Sequence, residues 1–286
     1  MTAQARARST DLERGSYAAR LGARVVSTDA GNAVVEAPYR DVHANTYGLV
    51  HGGVAASLAL WAGELAAWSS QRASENMHEL DGRMLSMHVS YLAVARQEPL
   101  RAAAAVTHRG RETVHLRADV SAGGGRLVAQ AALVYRIASR ASLQPREVAG
   151  GSPPAAESSL AAATPLPLVS PFIRSAGIVL RRADRELAAM SMPLEGNQNG
   201  RGDMDAGALV GCIDTCAALA CKAYHDTIPT KSTTLSLSVA FGAPVRGDVL
   251  MTSRLEARDG EIFHTAVEAQ SNGHVASALV TYRFAE

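Results

Sequence analysis

Two stretches of the chain are apolar at almost every position: HGGVAASLALWAGELAAW from His51 and DAGALVGCIDTCAALACK from Asp205. At helical period neither leaves a polar face, so each predicts a helix enclosed by protein all round. Alternating segments flank both. GARVVSTDAGNAVVEAP from Gly22, with a turn at Asp29 to Asn32, predicts a strand pair, as does GIVLRRADRELAAMSMP from Gly177, with a turn near Ala183 to Arg185. Beyond the helices, LSMHVSY from Leu85 matches LSLSVAF from Leu235 position for position, and Arg96 and Leu100 match Arg246 and Leu250 at the same offset. Further alternating segments end in LVYRIA at Leu133 and LVTYRFA at Leu279, rich in residues that strands favour. The chain therefore predicts an internal repeat, each half being strand, strand, helix and three strands.

The stretch 139–171 is rich in Pro, Ser, Ala and Gly without apolar period and predicts a linker between units 1–138 and 172–286. A length of 286 residues suits two such units, each able to bury a core. The formal charge of +1 provides no field to collect nucleic acid or an anionic membrane, so neither is expected as a partner. No apolar run reaches the roughly 18 residues a membrane span needs, and MTAQARARSTDLERG lacks a signal-peptide core; the expectation is a cytoplasmic protein. Cys212, Cys216 and Cys221 cluster on one predicted helix, which suits small packing residues better than disulfides. A metal site with His225 is the alternative.

In front of each apolar helix stands a polar knot: NTYGLVHGG from Asn45 to Gly53 and NGRGDMDAG from Asn199 to Gly207. The knots are unequal. Asn45, Gly48, His51, Gly52 and Gly53 face Asn199, Gly202, Asp205, Ala206 and Gly207, so the second has lost its histidine and one glycine. The helices are unequal too. A carboxylate in an all-apolar helix is expensive to bury and needs a partner or a purpose. The second helix carries Asp214, nine residues after Asp205; the same position of the first is Leu60, with that helix's acid, Glu64, one turn further on.

Strand pair, Asn-x-x-Gly-x-x-His-Gly-Gly, buried helix and closing strands resemble the hotdog fold, and within it the thioesterase family typified by bacterial phenylacetyl-CoA thioesterases. The resemblance spans nearly the whole chain as two fused hotdog units, an α+β fold with each antiparallel sheet wrapped around a central helix. It implies hydrolysis of an acyl-CoA or acyl-carrier thioester without metal or redox cofactor, CoA being part of the substrate. Asp214 falls on the family's catalytic position, as general base or as nucleophile. If the units pair as hotdog dimers do, one composite site is complete: Asn45, His51 and Gly52 from the first unit and Asp214 from the second. Gly52 N–H at a helix N-terminus would face the developing thioester oxyanion. Asn45 would fix water or the carboxylate, His51 would orient the loop or contact the carbonyl, and Ser232 would assist the acid. Gly53, Trp61 and Thr215 would line the substrate pocket. The second combination, Asn199, Asp205 and Ala206 with Leu60 and Glu64, would be degenerate. Relatives of this type also imply a homodimer of double-hotdog chains.

Rival readings are a non-catalytic thioester-binding protein, favoured by Leu60 and Asp205, and a hotdog dehydratase, whose His-Phe-Pro signature is absent. Other motifs carry less. Arg201-Gly202-Asp203 lies inside a knot, Gly123 to Gly125 is a hairpin turn, His88 is a packed or pocket-lining histidine, and Arg83, Arg96, Lys231 and Arg246 are surface residues that could meet CoA phosphates.

Overall fold

The computed structural model describes residues 3–71, 79–143, 170–224 and 231–285. Helices α1 (Ala3–Arg14) and α2 (Ser16–Leu21) lead into the hairpin β1 (Arg24–Asp29) and β2 (Asn32–Ala37), then helix α3 (Gly52–Ser69) and strands β3 (Leu80–Tyr91), β4 (Leu100–Arg109), β5 (Thr113–Ala122) and β6 (Arg126–Ser139). A short helix α4 (Pro171–Ser175) opens the second set: β7 (Val179–Ala183), β8 (Ala188–Met192), α5 (Ala206–Lys222), β9 (Lys231–Phe241), β10 (Val249–Asp259), β11 (Ile262–Gln270) and β12 (His274–Ala285). Four strands, not three, follow each long helix. The strand overlooked in the first half, β4, carries the run Ala102–Ala105, and alanine is a poor strand former that gives no alternating signal.

All twelve strands form one antiparallel sheet in the order β1-β2-β4-β5-β6-β3-β9-β12-β11-β10-β8-β7. The order reads the same from either end once the repeats are exchanged: two six-stranded halves joined edge to edge through β3 and β9. At the seam Met87 pairs Val239, His88 pairs Ser238 and Val89 pairs Leu237. Equivalent strand residues of the two halves are 150 apart, as His88 and Ser238 are, and these two also face each other. The local two-fold axis relating the halves therefore passes through this pair, whose Nδ1 and Oγ are 2.7 Å apart. The imidazole is exposed there.

The absence of a polar face on α3 is explained by what surrounds it. Strands β2, β4, β5 and β6 pack on one side and α5 and α1 on others, leaving sixteen of its eighteen residues buried. Helix α5 is held likewise by β8, β10, β11 and β12. The two helices approach closely because the contact is built from small residues. A Cβ at Gly53 would stand 2.5 Å from Gly211 Cα, and one at Gly207 would stand 2.7 Å from Ser57 Oγ. The three cysteines are free and buried on α5, where burial pushes their thiols up. His225, the partner of the alternative metal reading, lies outside the described residues.

One irregularity recurs in both halves and matters for the site. The pairing of β3 with β6 skips Leu85, and that of β9 with β12 skips Leu235. Each is a β-bulge, and a bulge reverses which face the residues before it present. Beyond it Leu237 and Val239 point inward; before it the even-numbered Thr234 and Ser232 do.

Candidate active site

The knots are two copies of one device. Asn45 Oδ1 accepts from the backbone N–H groups of Tyr47 (2.8 Å) and Leu49 (3.1 Å), and Asn199 Oδ1 accepts from those of Arg201 (2.9 Å) and Asp203 (3.2 Å). Gly48 (φ 72°) and Gly202 (φ 81°) take the left-handed conformation that closes each loop. The Asn45 oxygen is thus committed to shaping the knot, which leaves its side-chain NH2 as the group that could meet water or the carboxylate.

His51 and Asp205 are equivalent N-caps. His51 Nδ1 accepts from Gly53 N–H at 3.0 Å, and Asp205 Oδ1 accepts from Gly207 N–H at 2.7 Å. A caps-forming acid in place of the histidine preserves the helix start, which is why the repeat tolerates the exchange. His51 is neutral with its proton on Nε2: that atom lies 3.0 Å from Thr215 Oγ1, whose own hydrogen goes to the Gly211 carbonyl (3.0 Å). Burial holds the imidazole below its ordinary pKa, opposed by the nearby Asp214 carboxylate. Phe172 of α4 stacks on the ring at 4.3 Å, a contact without a signal in the sequence. Thr215, expected in the substrate pocket, instead steadies His51.

Asp214, 5% exposed, reaches across from α5 to the start of α3. Its Oδ2 lies 3.7 Å from His51 Nδ1 and 3.2 Å from where a Gly52 Cβ would stand. Its Oδ1 accepts from Thr234 Oγ1 at 2.5 Å. The hydroxyl on the acid is therefore Thr234, not Ser232, which accepts from Tyr282 OH at 2.6 Å and lies 3.4 Å from Tyr47 OH. Both residues precede the bulge and share a face, so a two-residue error in matching the loop selects the wrong one. Among the described residues the Gly52 N–H, first of α3, meets no acceptor, whereas that of Gly53 is used by the His51 cap. With its amide spent and its Cα against Gly211, Gly53 serves helix packing rather than substrate contact.

Tyr91 completes the surroundings. Its Cε1 and Cζ lie 3.1 and 3.2 Å from the same Gly52 Cβ position, and its hydroxyl is buried without a hydrogen-bond partner among the described residues. Burial, reinforced by the Asp214 carboxylate, raises the phenol well above its usual pKa. Both Thr234 and Tyr91 were findable from the repeat. Aligning LSMHVSY with LSLSVAF sets Met84 against Thr234 and Tyr91 against Phe241, each 150 residues apart.

Asn199, Asp205, Ala206, Leu60 and Glu64 do converge, around a cleft that Trp61, Met84, Arg201 and Phe241 also line. Trp61 therefore belongs here, donating from Nε1 to both Asp205 oxygens at 3.2 Å. Burial pushes the Asp205 carboxyl up to about 6, with hydrogen bonds from Gly207 and Trp61 opposing and Glu64 adding to the rise. Glu64 accepts from Tyr135 OH at 2.9 Å. Arg201 pairs with Asp81 at 3.2 Å and Arg246 with Asp203 at 2.7 Å, so the Arg-Gly-Asp triplet is tied into internal ion pairs.

Residues 41–137 match the model of the acyl-CoA thioesterase N-terminal domain. No curated protein sequence matches the chain. Among solved structures, a conserved hot dog fold protein of unknown function from Alicyclobacillus acidocaldarius superposes with a TM-score of 0.63 at 17% identity, covering 96% of this chain and 98% of that one. The tesB protein of Mycobacterium avium subs paratuberculosis gives 0.62 at 13% identity, with 92% and 96% covered. An acyl-ACP thioesterase from Bacteroides thetaiotaomicron gives 0.58 at 13%, with 88% and 98% covered. The fold is the hotdog fold, and within it residues 41–137 are similar to an acyl-CoA thioesterase N-terminal domain.

Proposed function

We propose that the chain hydrolyses an acyl-CoA at one composite site, where Asp214 of the second unit faces the N-terminus of α3 in the first. The observation that carries this reading is the Asp214 carboxylate, buried, with one oxygen held by Thr234 and the other 3.2 Å from the Gly52 Cβ position. A buried carboxylate fixed by one charge-assisted hydrogen bond and free on its other oxygen suits proton abstraction from water. Water attacks the thioester carbon and gives its proton to Asp214; the tetrahedral oxyanion is stabilised by the Gly52 N–H and the helix dipole. Collapse breaks the carbon–sulfur bond, and the leaving thiolate recovers the proton from Asp214. His51 caps and aligns the helix whose amide does this work. Units 1–138 and 172–286, bridged by the 139–171 linker, each supply half of the site, and two chains associate as a homodimer.

The second cleft is non-catalytic in this reading. Leu60 and Met84 stand where Asp214 and Thr234 stand in the first, and the Asp205 carboxylate occupies the helix start. Release of thiol from a panel of acyl-CoAs, followed with a thiol reagent, tests the proposal. Turnover supports it; a ligand-induced thermal shift without thiol release would replace it with a thioester-binding role.

A further inference from the structure

We propose that the Tyr91 hydroxyl is a second donor to the thioester carbonyl oxygen, acting beside the Gly52 N–H. The proposal rests on the composite-site reading and adds to it a group that the reading does not require.

Three observations converge on it. The hydroxyl is buried yet bonds to nothing among the described residues, an arrangement that costs stability and that folded proteins seldom retain without a use. Its place is also specific. The hydroxyl-bearing carbon of the ring and the free oxygen of Asp214 lie equally close, 3.2 Å, to one point over the first turn of α3. A carbonyl carbon brought within reach of Asp214 would present its oxygen to the Gly52 amide and this phenol together.

The third observation is a comparison the chain makes with itself. The residue equivalent to Tyr91 at the degenerate site is Phe241, which lines the second cleft. A phenyl ring is thus enough to pack the end of this strand. Only at the site that holds Asp214 and Thr234 does the ring carry a hydroxyl, just as only there do polar residues stand at the positions of Leu60 and Met84. Acid, supporting hydroxyl and phenol are present together at one site and missing together from the other. With the phenol kept protonated by its surroundings, the group is a donor throughout the working pH range, which suits an oxyanion contact rather than base chemistry.

Tyr91→Phe in the full-length chain tests this with two readouts, acyl-CoA turnover and thermal melting. Removing a hydroxyl that bonds to nothing should leave the melting temperature unchanged or higher. Losing a transition-state donor should lower kcat by about tenfold to a hundredfold or more, with KM altered little. Wild-type kcat in the variant would overturn the proposal, and so would a loss of activity that tracks a fall in melting temperature, since that marks a packing role. Asp214→Asn run in parallel separates the two claims. If it abolishes turnover while Tyr91→Phe is fully active, only the Tyr91 role falls; if the wild type releases no thiol from any acyl-CoA, the composite-site reading falls and takes this role with it.

Discussion

Replacing Thr234 with valine removes one oxygen at nearly constant volume and takes away the hydrogen bond to Asp214 Oδ1, 2.5 Å long in the structure. Hydrogen bonds to charged groups contribute about 1.5–3 kcal/mol. The carboxylate sits in a site that is 5% exposed, so water replaces the lost donor poorly. Where that whole contribution is spent on holding the base in position at the transition state, kcat/KM falls by about tenfold to somewhat over a hundredfold. Ser232→Ala is the comparison, because Ser232 bonds to Tyr282 and not to the acid; it should stay within about threefold of wild type. The assay is steady-state thiol release under the same conditions for both variants, with melting curves to confirm folding. A fully active Thr234→Val variant beside a crippled Ser232→Ala would refute the reasoning, and with it the claim that the Leu235 bulge decides which hydroxyl serves Asp214.

The neighbouring glycines separate chemistry from packing. Gly52→Ala meets only side chains, Tyr91 at 3.1 Å and Asp214 at 3.2 Å, so it should lower kcat at least about tenfold with little change in melting temperature, whereas Gly53→Ala drives its Cβ to 2.5 Å from the Gly211 backbone and should cost about 1–3 kcal/mol in urea unfolding. Asp205→Asn keeps a cap acceptor for Gly207 and removes a carboxyl whose folded pKa is about 6 against 3.8 unfolded. A raised acid binds its proton more tightly in the folded state, so wild-type stability from this group is greatest below about pH 4 and falls as pH climbs to about 6. The stability of the variant relative to wild type should accordingly rise by up to about 3 kcal/mol between pH 4 and pH 7, and equal differences at both pH values would contradict the assignment.

Much of the fold was legible because the chain says it twice. The helices announced themselves by lacking a polar face, a pattern that only enclosure explains, and the match of LSMHVSY to LSLSVAF located the strands that meet at the seam. The alanine run of β4 escaped because small residues give no alternation, and α1 and α2 escaped because the opening segment has no apolar period of its own and is held by packing against α3. The site divided similarly. Asp214 stood out as a lone carboxylate in an apolar helix. Thr234 was missed for Ser232 because a bulge changes the facing of a strand without changing its composition. The sequence reading gives Asn45 to water or the carboxylate and Gly53 and Thr215 to substrate, whereas the structure uses Asn45 Oδ1 in the loop, Gly53 in the helix contact and Thr215 beside the imidazole, since polar and small residues near a site look alike in sequence whichever they touch. Trp61 was placed in the wrong pocket: α3 begins at one site and, three turns on, presents its side chains to the other.

The account turns on asymmetry between two sites built from the same parts. Asp214→Asn and Glu64→Gln each exchange a carboxylate for an amide of equal size, one facing Gly52 and the other lining the cleft where Asp205 caps α5. The most direct measurement is kcat for both variants on the best acyl-CoA substrate of the wild type. Loss of a catalytic base lowers the rate by about a hundredfold or more, so Asp214→Asn should be nearly inactive while Glu64→Gln keeps most of its activity. Equal losses would mean two working sites, and an undiminished Asp214→Asn variant would contradict the composite site altogether.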